Sequence, residues 1–364
     1  MSLFRADAGI EVIEEADDHE VVGEEGTPHQ ADIVGRTPWQ LAWTRLRHDR
    51  VAMISLGFIV FLILVAIFAP LLTALIGHGP NAQYPNTGLS LSGIPVGPGH
   101  NGFLLGTDDQ GRDVLSRIIY GTRVSLVVGV GATLVALVVG MVVGLIAGYY
   151  GGWSDTLLAR FMDILLSFPI LLFALAIIAR FGPSLELVVI VIAMFSWPYI
   201  GRLVRGQVIS LREREFVEAA RALGSSDLRI MFVEILPNLL ALAVIYATLL
   251  IPVNIVLEAT LSFLGLGVQP PTASWGNMIA EAQNGDLFTV AWWFLVFPCL
   301  ALVLTTLAFN LLGDGLRDAL DPRQGRSQMT PKSKARRRAD AKGRADAKAS
   351  AEVKASAAKA RAEA

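Results

Sequence analysis

VSLVVGVGATLVALVVGMVVGLIA, residues 124–147, contains no charged side chain, and the uncharged run continues to Ser154. About 20 apolar residues suffice for a helix to cross the hydrocarbon core of a bilayer, so this stretch alone predicts a membrane span. Two further regions behave alike, since no Asp, Glu, Lys or Arg occurs between Arg50 and Asp108 or from Leu287 to Gly313. The whole chain is 53% hydrophobic and 17% charged with a mean hydropathy of +0.54, too apolar for an ordinary soluble domain. These runs predict an all-α, polytopic membrane protein with six spans: Val51 to Leu75, Val124 to Ala147, Thr156 to Ala179, Leu187 to Leu203, Leu239 to Phe263 and Val290 to Leu312. The fourth is bounded by Glu186 and Arg202, which leave fifteen uncharged residues; a tilted helix with Arg202 snorkelling to the interface accommodates it.

Basic residues set the orientation. Arg45, Arg47 and Arg50 precede the first span, and Arg202, Arg205, Arg212, Arg214, Arg221 and Arg229 crowd the loop after the fourth, whereas residues 264–289 carry none. The positive-inside rule then places both termini and the 204–238 loop in the cytoplasm of an inner-membrane protein. Arg112, Arg117 and Arg123 fall outside, where Asp108, Asp109 and Asp113 are the expected neutralising partners. The two ends have opposite charge: residues 1–38 hold ten acids against two arginines, and residues 322–364 hold thirteen Lys or Arg against four acids. Both tails, 1–38 and 324–364, are expected to be disordered, leaving a membrane domain over 39–323. The first apolar run follows an acidic segment rather than a short basic one, which predicts a retained anchor and not a cleaved signal peptide. The basic tail is a candidate for contact with anionic membrane lipid.

Between the fourth and fifth spans, residues 212–237 read REREFVEAARALGSSDLRIMFVEILP. Arg212 to Leu223 is rich in helix formers, Gly224 is a C-terminal stop, and Ser226 or Asp227 can cap a second helix that Pro237 follows. Phe216, Ala219, Ala220 and Leu223 recur at i, i+3, i+4 and i+7 and make one apolar face. Ala219 and Ala220 let another backbone approach, and Glu218 suits an arginine on a partner. The competing reading is a helical hairpin that packs on its own bundle. Across the membrane, the 76–123 loop opens with a Gly/Pro/Asn-rich stretch and closes with GTDDQGRDVLSR, residues 106–117, whose apolar positions 114, 115, 118 and 119 predict a short amphipathic helix on the outer surface.

Glu218-Ala219-Ala220, Gly224 and Ile235-Leu236-Pro237 together resemble the EAA loop by which permease subunits of bacterial ABC importers touch their ATPase subunits. The GTDxxGRDVLSR run resembles the second, C-type permease of dipeptide, oligopeptide and nickel importers, as do Gly148-Tyr149-Tyr150-Gly151-Gly152, LSFLGLGVQPP from Leu261, Ser274-Trp275-Gly276-Asn277-Met278 and NLLGDGLRD from Asn310. The likeness covers residues 40–323 and leaves out both tails. It implies the six-helix type I importer permease fold and transport of dipeptides or oligopeptides, with nickel as the alternative cargo. It further implies a homologous second permease, two ATPase subunits carrying ATP and Mg, and an extracytoplasmic substrate-binding protein. Phe216, Glu218, Ala219, Ala220, Leu223, Gly224, Asp227, Ile235, Leu236 and Pro237 are then the docking residues.

Inside the spans, Asp163 has Arg160 three residues earlier as a local partner, while Glu258 has no cationic neighbour along its helix. With Asn254 one turn before it, Glu258 is a candidate for the translocation path or, alternatively, for a structural bond to a neighbouring helix. Gly140, Gly144 and Gly148 share one helix face, which serves equally for packing within this chain or against a second permease. Pro169, Pro198 and Pro298 mark segments that can bend, and Trp292-Trp293 marks the outer interface. There is no GxxxxGK[ST] phosphate loop, HExxH motif, nucleophile elbow or histidine cluster. The chain is therefore expected to be non-catalytic, with no cofactor or metal of its own and no nucleic-acid partner. Cys299, the lone cysteine, rules out an internal disulfide and reads as a core side chain. A self-sufficient channel or secondary transporter is the rival from another class; it would need intramembrane charge relays and have no use for a docking loop.

Overall fold

The computed structural model describes residues 38–320, so the readings of the two charged tails lie outside the described residues. The described chain is helical apart from the outer loop and short connections. The elements run α1 (Pro38–His48), α2 (Arg50–Ile67), α3 (Ala69–Ile76), α4 (Val114–Tyr150), α5 (Gly152–Ser167), α6 (Ile170–Phe181) and α7 (Leu185–Leu211). There follow α8 (Glu215–Ala222), α9 (Asp227–Arg229), a π-helical stretch (Ile230–Ile235), α10 (Leu236–Phe263), α11 (Trp275–Gln283), a 3-10 turn (Asn284–Thr289) and α12 (Trp292–Leu320). Five helices are long and apolar enough to cross a membrane, and a sixth span exists if the bent pair α5 and α6 counts as one.

That pair occupies the expected third span, and it bends at Pro169, where the sequence marked it as able to. Its halves meet at 84° across Phe168 and Pro169. Pro169 has no N–H to continue the ladder, and its ring drives Phe168 into the extended region at φ −80°, ψ 137°. The expected amphipathic helix on the outer surface does not exist as a separate element. Asp113 caps α4 through Oδ2, which accepts from the Ser116 amide at 2.9 Å, and residues 114–119 are its first turns. At 37 residues, α4 is about 55 Å long and outreaches the hydrocarbon core. Nor does Pro237 follow a short second helix. It occupies the start of α10, just past the wider π turn, so that residues 227–263 form one continuous rod; a π turn relieves the clash between a proline ring and the preceding carbonyls.

The centre of the bundle is the contact between α4 and α7, and the glycine stripe makes it. A Cβ at Gly140 would sit 2.7 Å from Ile200 Cβ, one at Gly144 2.6 Å from the Gly201 carbonyl, and one at Gly148 2.7 Å from Val208 Cβ. The stripe therefore faces this chain's own bundle. Arg202 does not simply snorkel: its Nη2 lies 2.6 Å from Asp163 Oδ1, and the local partner Arg160 is more distant from Asp163 at 3.8 Å. A second pair, Asp155 with Arg205, also joins α5 to α7. Of the tryptophan pair, Trp292 is exposed, whereas Trp293 is buried under the outer loop and donates to the Thr107 carbonyl at 3.1 Å.

Candidate functional site: a helical elbow and an open cavity

Residues 212–237 build an elbow whose two sides differ. From α8, Val217 and Ala220 turn into a core shared with Leu145 and Tyr149 of α4, Met162 of α5, Val204 and Val208 of α7, and Ile230, Met231 and Ile235 of the π stretch. The expected apolar face is thus divided. Ala220 belongs to the interior with Val217, while Phe216, Ala219 and Leu223 stay outside with Glu218, and Leu223 is 86% exposed. The signal for the inner face was Val217, three residues before Ala220. Gly224 adopts φ +78°, a conformation that costs glycine nothing. The Ser225 amide then reaches the Ala220 carbonyl at 3.0 Å and the Gly224 amide the Arg221 carbonyl at 2.9 Å, the paired bonds that close a helix with a left-handed residue.

Beyond the bend, Asp227 is exposed but its Oδ1 accepts from the Tyr149 hydroxyl at 2.7 Å. Ser226 occupies the cap position without a side-chain bond. Ile235 is fully buried, Leu236 half-buried and Pro237 exposed. Among the expected docking residues, Phe216, Glu218, Ala219, Leu223, Gly224, Asp227 and Pro237 are therefore exposed, while Ala220 and Ile235 hold the elbow to its own core.

Between α6, α7 and α10 lies a cavity of about 620 Å³ lined by Ile170, Phe195, Ser196, Tyr199, Leu250, Val253, Asn254 and Thr260 among others. Of the cavity's lining residues, Tyr199 and Val253 are exposed. Asn254 anchors its floor: Oδ1 accepts from Ser196 Oγ and Nδ2 donates to Thr133 Oγ1, both at 2.9 Å. Glu258, one turn farther along α10, is closed off at 0% exposure. Ser125 Oγ of α4 donates to its Oε2 at 3.0 Å and Ser262 Oγ to its Oε1 at 2.8 Å. A buried carboxyl thus joins α4 and α10 through hydroxyls, a partner set that one helix's sequence does not reveal.

The outer loop is held by charge. Asp108 Oδ1 accepts the Gln110 and Arg112 amides at 2.9 and 2.8 Å, and its Oδ2 takes Arg112 Nε at 2.6 Å. Glu281 of α11 completes the cluster, 2.9 Å from Arg112 and 3.0 Å from Arg117. Asp108 and Asp109 partner Arg112, and Asp108 also Arg117, as expected, whereas no such pair forms at Arg123 among the described residues, Asp113 is spent on capping α4 and Glu281 was not foreseen. Burial pushes the Glu281 carboxyl above its ordinary range although Arg117 and Arg112 pull it down, and burial followed by the charge of Asp108 raises Asp109.

A helical bundle long enough to cross a membrane five or six times, with an elbow at one end and an open cavity between its spans, describes a multi-pass membrane protein. The chain belongs to the family of binding-protein-dependent transport system inner membrane components, the permease subunits of ABC importers: that family's model matches residues 140–326, and the N-terminal TM domain of oligopeptide transport permease C matches residues 37–91. It is 45% identical over 296 residues to the dipeptide transport system permease protein DppC of Alkalihalophilus pseudofirmus, covering 81% of this chain and 93% of that one. It is 42% identical over 298 residues to the glutathione transport system permease protein GsiD of Escherichia coli, covering 79% and 91%. A solved structure of inward-facing conformations of the MetNI methionine ABC transporter aligns with a TM-score of 0.45 and 18% identity, over 56% of this chain and 96% of that one.

Proposed function

We propose that this chain forms one half of the translocation pathway of an importer for dipeptides or oligopeptides, the other half being a homologous permease. Two separate ATPase subunits carry ATP and Mg, and an extracytoplasmic binding protein delivers the cargo; the chain itself catalyses nothing. The short-peptide cargo follows the names of its dipeptide and glutathione relatives. The cavity between α7 and α10 lies in the size range of about 300–1,000 Å³ usual for small-molecule sites, and its open side awaits a second wall. Both termini and the elbow are assigned to the cytoplasm, with α11 and the 77–113 loop outside.

The observation that carries this reading is the divided elbow. Its inner side, Val217, Ala220 and Ile235, is locked in the core, while Phe216, Glu218, Ala219 and Leu223 remain outside on a helix joined through the π stretch to α10. An exposed helix of this kind fits a groove on an ATPase subunit, and its attachment to the bundle lets nucleotide-driven closure bias the inward and outward states. Leu223→Asp leaves the core untouched, so it tests docking without threatening the fold. Co-purification with the ATPase subunits and ATP-driven peptide uptake should both fall at least about tenfold, the usual weight of an interface anchor. Undiminished association and uptake in that variant refute the docking reading.

A further inference from the structure

The last turn of α4, Gly148-Tyr149-Tyr150 before Gly151-Gly152, has no task in transport as described so far, yet four contacts converge on it. The Tyr149 hydroxyl donates to Asp227 Oδ1 at 2.7 Å, at the start of α9. The guanidinium carbon of Arg221, in the last turn of α8, lies 5.5 Å from the centroid of the Tyr149 ring. Arg212, which ends α7, donates from Nη1 to the Gly148 and Tyr149 carbonyls at 3.1 and 3.4 Å. Those carbonyls are the unsatisfied end of a helix, where a cation is favoured. Finally, Gly148 packs directly on Val208 of α7. One turn of α4 therefore holds α7 and both limbs of the elbow.

The side chain itself is specific. The Tyr149 ring is buried in the core shared by α4, α7, α8 and the π stretch, and phenylalanine would fill that space equally. Only the hydroxyl reaches past the core to the Asp227 carboxylate, and a hydrogen bond to a charged acceptor is stronger than a neutral one. Without it, a displacement of α8 has two places to dissipate before it enters α10: the left-handed Gly224 and the π turn at Ile230–Ile235. With it, the same displacement passes into α4, and through the glycine stripe into α7. We propose that Tyr149 is a positioning residue that fastens the elbow to the end of α4, so that α4 and α7 move with the elbow as one body during transport. The proposal rests on the docking reading of α8 for the source of the force, but the fastening itself is a property of this chain alone.

Two measurements separate these parts. In the full chain purified in nanodiscs, Tyr149→Phe should speed amide exchange across residues 225–230 about tenfold, the loss expected for a hydrogen bond to a charged group. Asp227→Ala should do the same, and the double variant should add nothing, whereas Asp227→Asn, which keeps an acceptor oxygen but loses the charge, should fall between the parent and Asp227→Ala. In the assembled transporter, Tyr149→Phe should co-purify normally with the ATPase subunits and hydrolyse ATP, yet move at least about threefold less peptide per ATP, a coupling loss within the usual range. Unchanged exchange in Tyr149→Phe, or additive effects in the double variant, refutes the fastening whatever the ATPase subunits do. Faster exchange with undiminished peptide per ATP refutes the transfer of force through α4. Failure of the Leu223→Asp test alone removes the docking reading and leaves the exchange result to decide the fastening.

Discussion

Gly144 is the residue where one methyl group measures the closeness of the two central helices. A Cβ there would stand 2.6 Å from the Gly201 carbonyl oxygen and 2.8 Å from Val204 Cβ, about 1 Å inside the carbon–carbon optimum of about 3.5–4.0 Å. The oxygen belongs to the backbone of α7 and cannot swing aside, so α7 must move away from α4 along the stripe. Between helices in lipid there is no hydrophobic drive to compensate, and packing carries the association. Gly144→Ala should therefore cost about 1–3 kcal/mol of overpacking against a gain of about 0.5–1 kcal/mol from helix propensity. Gly206, on the same helix pair, is the control, because a Cβ there meets nothing within 4 Å; Gly206→Ala should be neutral or slightly stabilising. Thermal unfolding of the purified chain in one detergent compares the two. A Gly144→Ala midpoint equal to or above that of Gly206→Ala refutes the close contact and, with it, the idea that α4 and α7 act as one body.

The outer charge cluster gives two expectations. Arg117 is 1% exposed beside Asp108 and Glu281, but Arg112 still holds both carboxylates, so Arg117→Met should cost less than the about 3–5 kcal/mol of a buried charge left unpaired, read as a drop in unfolding midpoint. Because Glu281 and Asp109 are raised in the folded chain, the native state holds protons that the unfolded chain has released. Stability should then fall as pH rises from the ordinary carboxylate range through the raised values; Glu281→Gln should flatten that slope, and an unaltered slope counts against Glu281 as its source. At Glu258, a leucine leaves the Ser125 and Ser262 hydroxyls without their acceptor, at about 1–3 kcal/mol for each buried group. Glu258→Gln, which preserves an acceptor, should remain within about 1 kcal/mol, and equal melting of the two variants would show that these bonds contribute nothing.

How much of this was legible depended on whether the information was local. Spans were, because an uncharged run is a property of consecutive residues, and the first helix of 212–237 was, because Gly224 and the helix formers before it lie within a few turns. The bend at Phe168–Pro169 was marked by its proline but not its size, since a proline inside α7 or α12 leaves those helices continuous while the one at Pro169 starts a new one at 84°. Partner choice was not legible. The stripe of Gly140, Gly144 and Gly148 announced a close approach, yet its partners Ile200, Gly201, Val204 and Val208 carry no matching glycine pattern. Glu281 stands 169 residues from Arg112 and Ser125 stands 133 from Glu258, and nothing near either acid in sequence points to its partner.

The same distinction orders the molecule itself. Apolar runs decide which residues enter the membrane, but in lipid they cannot decide which helix touches which, because every neighbour is as apolar as the tails around it. That decision falls to the exceptions: a glycine stripe between α4 and α7, one carboxyl between α4 and α10, ion pairs between α5 and α7, and a phenol between α4 and the elbow. Three of these four meet on α4, the longest helix together with the rod of residues 227–263. A transport subunit driven from one end needs a member that reaches both, and α4 runs from the charge cluster at Arg117 to the elbow at Tyr149. On the docking proposal, moving it would couple the two surfaces without requiring any span to bend.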